Sequence, residues 1–438
     1  MTQSIGQKPN TGALAQQKET TTQSIDQKSN TGALEQDTTA QKSLVVQGRQ
    51  ADQLGHNLPV KEPGPGRLLS TTMFGTPEQI QIQGATGSQG SACIANLAES
   101  LRNSGLIDKT ELIAIARNPS AFHKISVKQD ANLLRMSDLP IQVRKSAGGP
   151  TSSTLVVNMA SGGGLKDTLD TLPAGTQVML TQNGIQNPDA IPPHLKTVQA
   201  VSKFITKQVT GPDGTLTTMN VPGAIQMSKS DPVAQYLEKL LAGGPLTIEF
   251  VDDISKTQWT KIGLNTTLNS LCAIFNKDKG ELFAIAQTDP RMRQLINGVV
   301  REVCSVAQSQ GVPLKEDIVH SGINKTVDQT PQHRTSMGNN FIEGKQLETA
   351  QLSGGVNRLA REASVAAPLC NYMTQILDGY VHARDQIAKE SGSPPMAAQK
   401  FIERYADEIR KAQDNLLNLA ARMAPPQQAA AIVSTEPV

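Results

Sequence analysis

The chain has almost no net charge: 41 basic side chains face 39 acidic ones over 438 residues, a balance of +2. That removes the electrostatic case for a nucleic-acid partner or a membrane surface and points toward a small molecule. Cysteine pairing is missing as well. Cys93, Cys272, Cys304 and Cys370 lie far apart with no CxxC spacing, and three of the four sit among apolar neighbours, so they read as reduced core thiols of a cytoplasmic protein. The six histidines form no HxxxH or HxxE pair, which predicts no metal site. There is no apolar run behind a basic start and none long enough to span a bilayer, so neither a secretion signal nor a transmembrane helix is expected.

A chain of this length exceeds one ordinary core, and the expectation is two folded domains with added ends. Residues 1–74 are rich in Gln, Thr, Ser, Lys and Gly. They carry a direct repeat, TQSIGQKPNTGALAQ from Thr2 returning as TQSIDQKSNTGALEQ from Thr22. Two copies with so few apolar side chains cannot bury a core, so this tail is expected to be disordered; a recognition or export address is the alternative.

The first domain is placed at 75–252. The alternating strand Gln79-Ile80-Gln81-Ile82-Gln83 runs directly into GATGSQG and an amphipathic helix, the phosphate-binding entry of a Rossmann-type dinucleotide-binding domain. Gly84, Ala85, Thr86, Gly87, Ser88, Gln89 and Gly90 are the candidate cradle, although a plain tight turn would use the same glycines. The next strand, Glu111 to Ala116, ends in Arg117, a cation where the extra phosphate of NADPH would lie; an exposed loop arginine is the alternative. Strands at Ser153 to Met159 and Thr176 to Thr181 follow, the latter entering Gln182-Asn183-Gly184 at the ligand-binding edge of such a sheet. Alternating segments at Val198 to Thr206 and Leu246 to Val251 add strands, with a hairpin turn at Gly211-Pro212-Asp213-Gly214.

From 253 to 390 the pattern is helical: 256 to 276, Arg291 to Gln310, a helix holding Ser336, then Glu348 to Glu362 and Pro368 to Ala388. The first of these sets Lys261, Asn265 and Asn269 four residues apart. Steps of four rotate by only about 40° each on an α-helix, so an ammonium and two amides form one polar strip among Ile262, Leu264, Leu268, Leu271, Ile274 and Phe275. Internally satisfied polar groups in a buried helix would explain the strip; so would a cleft holding a polar ligand. Residues 391–438 add a helix, Met396 to Met423. Its stripe of Phe401, Tyr405, Ile409, Ala412, Leu416, Leu419 and Met423 must dock either on the body or on a second copy as a homodimer.

Over roughly residues 78–388 the chain resembles the ketopantoate reductase (2-dehydropantoate 2-reductase) family. The resemblance rests on W-x-K-x3-N-x3-N-x-L from Trp259 to Leu271, Ser336-Met337 with Glu348 twelve residues after Ser336, Gln-Asn-Gly at 182–184, and VDDISKTQW before the helix. It implies an α/β Rossmann-type domain followed by an all-helical C-terminal domain. The implied reaction is NADPH-dependent reduction of a small 2-oxoacid, ketopantoate, in pantothenate biosynthesis. In that setting Lys261 is the general acid, Asn183 orients the lysine and cofactor, and Glu348 pairs with the lysine or the substrate hydroxyl. Asn265, Asn269 and Ser336 hold the substrate hydroxyl and carboxylate.

Departures lie mostly on the cofactor side. The glycine loop has one extra residue, and Ala160-Ser161 stands where the family has a lysine, which Lys166 replaces only if Gly162 to Gly164 fold back. Asn340 also stands where an acidic residue is common. A relative acting on another 2-oxoacid, or a non-catalytic binding protein on the same fold, are the alternatives to the reductase.

Overall fold

This computed structural model describes residues 77–425 apart from 130, 147–150, 152, 161–164, 187, 220–222, 392 and 393. The repeated tail and the Gly162 to Gly164 loop therefore lie outside the described residues.

The sheet half begins β1 (Gln79–Gln83), α1 (Ser88–Asn103), β2 (Glu111–Ile115), α2 (Pro119–Phe122), β3 (Ile125–Gln129), β4 (Asn132–Arg135) and β5 (Gln142–Arg144). It continues with β6 (Thr154–Asn158), α3 (Leu165–Leu169), β7 (Gln177–Leu180), β8 (Lys196–Ser202), β9 (Thr206–Gly211) and β10 (Gly214–Met219), then β11 (Gly223–Ser228), α4 (Pro232–Leu241) and β12 (Leu246–Val251). Eight strands form one sheet in the order β12-β11-β8-β7-β6-β1-β2-β5. From β5 to β8 this is the doubly wound dinucleotide-binding order, all parallel, and its reversal point falls between β1 and β6. Only the β11–β8 pairing is antiparallel.

The stretch from Val198 to Thr206, expected as one strand, is divided between β8 and β9 because the chain leaves the large sheet after Ser202. β9 and β10 form the expected hairpin, with Gly211 opposite Gly214. They join β3 and β4 in a second sheet of order β4-β3-β10-β9. The small sheet covers the outer side of α1: Ser91 Oγ lies 2.9 Å from Thr217 Oγ1, and Ile125, Val127 and Met219 share a core with Ile80, Ile82 and Ala95. Sandwiching between two sheets explains why α1 is buried along nearly its whole length.

The helical half contains α5 (Ile254–Phe275), α6 (Lys279–Thr288), α7 (Pro290–Ser309), α8 (Glu316–Gln329), α9 (Ser336–Ile342), α10 (Ser353–Glu362), α11 (Pro368–Ser391), α12 (Pro394–Arg404) and α13 (Ala406–Met423). α5 is its axis, packed by α6, α7, α8, α9 and α11 and abutting β8 and β11 of the sheet. Asp253 caps its start by accepting from Lys256 N at 2.9 Å, and Asn276 ends it in the left-handed conformation at φ 51°. α6 and α8 are helices that were not among those expected, although Val319, Ile323 and Val327 of α8 recur every four residues. The expected helix from Glu348 starts instead at Ser353, because 348–352 forms a turn in which Leu352 N and Gly354 N return to Glu348 O and Thr349 O.

The C-terminal helix is two helices broken at Tyr405, and its stripe docks on the body except at Met423, which stays exposed. Phe401, Tyr405, Leu416 and Leu417 enter the helical core. The rings of Phe341, Tyr380, Phe401 and Tyr405 form a chain with centroids 5.1–6.3 Å apart, so aromatic residues, scarce in this sequence, are concentrated where the added helices land. All four cysteines are free and buried.

Candidate active site

The turn after β1 is shaped by its first and last glycines. Gly84 has φ +73°, and a Cβ there would lie 2.7 Å from the Ala160 backbone beyond β6; a Cβ on Gly90 would lie 2.2 Å from Gly84 O. Gly87 is instead the exposed N-cap of α1, with no side chain to occupy the free N–H groups of the first turn. The extra loop residue is accommodated by the small sheet, where Gln208 Nε2 donates to Thr86 O at 3.1 Å. These features fit a dinucleotide's pyrophosphate: the backbone is bare where a phosphate must approach, and the helix terminus lies at the reversal point of the sheet. Arg117 is exposed just beyond β2, on the same edge. Lys166 is taken up in an exposed ion pair with Asp170 at 2.6 Å.

Gln182, Asn183 and Gly184 follow β7. Gly184 has φ +77°, and a Cβ would stand 2.3 Å from Gln351 O. Ile185 N donates to that same oxygen at 2.7 Å, which locks the turn of the sheet half onto the 348–352 turn of the helical half. The lock brings Asn183 to Glu348, with Nδ2 to Oε2 at 3.4 Å.

Lys261 reaches the sheet. Its Nζ donates to Ser202 O at 2.7 Å and Ser202 Oγ at 3.1 Å. Burial draws its pKa down from the usual lysine value to about 8, opposed by the negative charge of Glu348. Glu348 is displaced the other way: burial raises its pKa, while the Asn183 hydrogen bond and the Lys261 charge pull it back. Of the two partners expected for Glu348, the lysine or the substrate hydroxyl, the lysine is coupled to it through space. Asn183 orients the carboxylate; Ser202 orients the lysine.

Farther along α5, Asn265 and Asn269 are 9% and 8% exposed, and neither side-chain amide has a hydrogen-bond partner among the described residues. Ser336 opens α9 and is exposed, while Thr335 caps the helix by accepting from Gly338 N at 3.3 Å. Asn340 is held locally, its Nδ2 3.4 Å from Gln346 O.

Sequence reasoning overlooked Ser202 and Asn158. Ser202 ends a buried strand without a recognisable motif. Asn158 occupies the same edge, with its Oδ1 accepting from Ala160 N at 3.0 Å and its Nδ2 buried without a partner; the signal available was a polar residue closing the run TLVV.

Residues 253–381 match the family described as ketopantoate reductase PanE/ApbA C terminal. The helical half is similar to the C-terminal part of ketopantoate reductases. A 2-dehydropantoate 2-reductase of Streptococcus pyogenes serotype M3 is 24% identical over 218 residues, 48% of this chain and 68% of that protein. A dimeric ketopantoate reductase from Staphylococcus aureus superimposes with TM-score 0.56 at 19% identity, over 69% of this chain and 99% of that one. D-mandelate dehydrogenase, in a ternary structure with NADH and anilino(oxo)acetate, gives TM-score 0.58 at 20% identity, over 69% and 98%. The fold is accordingly the one these solved structures share, an α/β sheet half followed by a helical half. Among the described residues no helix is long and apolar enough to cross a membrane.

Proposed function

We propose that the protein reduces ketopantoate to pantoate with NADPH, a step toward pantothenate and coenzyme A. The observation that carries this reading is the union of three groups: the half-buried Lys261 side chain, the Asn183–Glu348 pair and the two unpartnered amides of Asn265 and Asn269. When bound, reduced nicotinamide supplies the hydride. Gly84, Gly87, Gly90 and the start of α1 would hold the cofactor's pyrophosphate, and Arg117 its 2′-phosphate.

Lys261 acts on the substrate oxygen. As the carbonyl carbon accepts hydride, negative charge grows on that oxygen, and the ammonium both stabilises it and delivers the proton that makes the alcohol. A pKa of about 8 suits a proton donor, since the group is charged at neutral pH and gives up its proton readily. Asn265, Asn269 and Ser336 take the substrate hydroxyl and carboxylate, and Glu348 keeps a negative charge beside the lysine. Four buried free thiols suit a reducing cytoplasm.

The test is NADPH oxidation, followed at about 340 nm, by purified protein with ketopantoate and with a panel of other branched 2-oxoacids. Turnover with ketopantoate ahead of the panel is expected. Preference for another 2-oxoacid reassigns the substrate, and no turnover with any of them removes the reductase reading.

A further inference from the structure

We propose that Ser202 is a positioning residue for the proton donor: its main-chain oxygen and hydroxyl together fix Lys261 in the cleft, as the ammonium, before a substrate arrives. The inference rests on the reading of Lys261 as the general acid. It goes beyond that reading by assigning a role to a residue of the sheet half that carries no motif.

Ser202 is 3% exposed at the end of β8, where the chain departs from the large sheet toward β9. Its two oxygens converge on one nitrogen, at 2.7 and 3.1 Å. Both are acceptors, so both favour the charged lysine over the neutral amine, whose nitrogen needs fewer acceptors. An ammonium has three N–H donors. Two are spent on Ser202, leaving one to meet a substrate oxygen.

The Ser202 hydroxyl hydrogen has no acceptor assigned among the described residues. It remains available while the oxygen accepts from the lysine. Without these acceptors, a flexible four-carbon side chain would sample several rotamers and its desolvated charge would be held by Glu348 alone. Glu348 is the charged group that opposes the effect of burial on Lys261.

The experiment titrates the Lys261 amine directly in the full-length protein. Trace acetic anhydride labels lysines in proportion to their neutral fraction, and mass spectrometry reads the Lys261 peptide from pH 6 to 11 (about the lysine window). Ser202→Ala is expected to lower the Lys261 pKa by about one unit, because a charge-assisted acceptor is lost. Ser202→Thr, which keeps the hydroxyl, is expected to restore the wild-type titration.

If the alanine variant does not fold, Ser202→Cys carries the same test, since a thiol of similar size is a poor acceptor. A Lys261 titration unchanged in the folded Ala or Cys variant overturns the inference. So does failure of the folded Thr variant to restore it. The labelling needs neither cofactor nor substrate, so it separates the two readings. A wild-type protein inert toward 2-oxoacids whose Lys261 shifts as stated removes the reductase and keeps the lysine anchor; an active protein without the shift does the reverse.

Discussion

Gln83, at the end of β1, and Asn269, on α5, are both side-chain amides carried into the interior. Gln83 is 1% exposed, and both its Oε1 and Nε2 are enclosed without a partner. Asn269 is 8% exposed; it also lacks a partner among the described residues, but its amide is not enclosed. An unpaired polar group sealed from water costs about 1–3 kcal/mol in the folded state, whereas one that keeps contact with the cleft stays hydrated until a ligand replaces the water. The two amides thus carry their polarity differently, although α5 also holds sealed hydroxyls at Thr266, Thr267 and Ser270. Burial alone does not separate the two residues. Whether the amide is sealed does.

The sharpest way to test that contrast is to remove the charged member of the helical strip. Lys261→Ala should lower turnover by about 10²- to 10⁴-fold in NADPH oxidation assays, with the melting temperature little changed. The pH dependence follows from the same group. Because the acid form is needed, kcat/KM should be flat below about pH 8 and fall above it. The contribution of Lys261 to stability runs the other way. Its folded pKa lies below the unfolded value, so the unfolded chain binds more protons between about pH 8 and 10.5, and this contribution rises with pH across that window. An alkaline limb that persists in the folded Lys261→Ala protein would assign the titration to another group.

Next in size, Asn269→Ala should raise the KM for the 2-oxoacid by about 10- to 100-fold, the range for losing one hydrogen bond to a charged ligand. Arg117→Ala should raise the KM for NADPH by about tenfold and leave that for NADH unchanged, because only NADPH carries the 2′-phosphate. Equal weakening of both cofactors would mean that Arg117 acts through the fold. The smallest effect belongs to the sealed amide: Gln83→Met, close in volume and without polar atoms, should raise stability by about 1 kcal/mol in urea unfolding and leave both KM values alone. Loss of cofactor affinity in that variant would erase the contrast between the two amides.

Much of this architecture was legible because local chemistry and tertiary position agreed. The step from β1 through Gly84 to α1 is written in strand alternation, bare backbone and helix periodicity, and the spacing of Lys261, Asn265 and Asn269 sets one helical face whatever packs around it. The small sheet was not legible beyond its hairpin, since β3 and β4 are short and β3 pairs with a segment some 90 residues later. Tyr405 gave no warning of the break between α12 and α13, because it continues the apolar stripe and lies in the core. Ser202 and Asn158 reach the site through where their strands end, a property of the assembled sheet that single-chain spacing does not contain.

The contact at Gly184 also bears on protein engineering. The turn after β7 meets Gln351 O with no clearance for a methyl group and is tied to the same oxygen through Ile185 N. A chimera that takes its sheet from one relative and its helices from another must therefore inherit 182–185 and 348–352 as a matched set. Exchanged separately, a bulkier turn would wedge the graft apart and separate Asn183 from Glu348, even with every residue of both parents' sites retained.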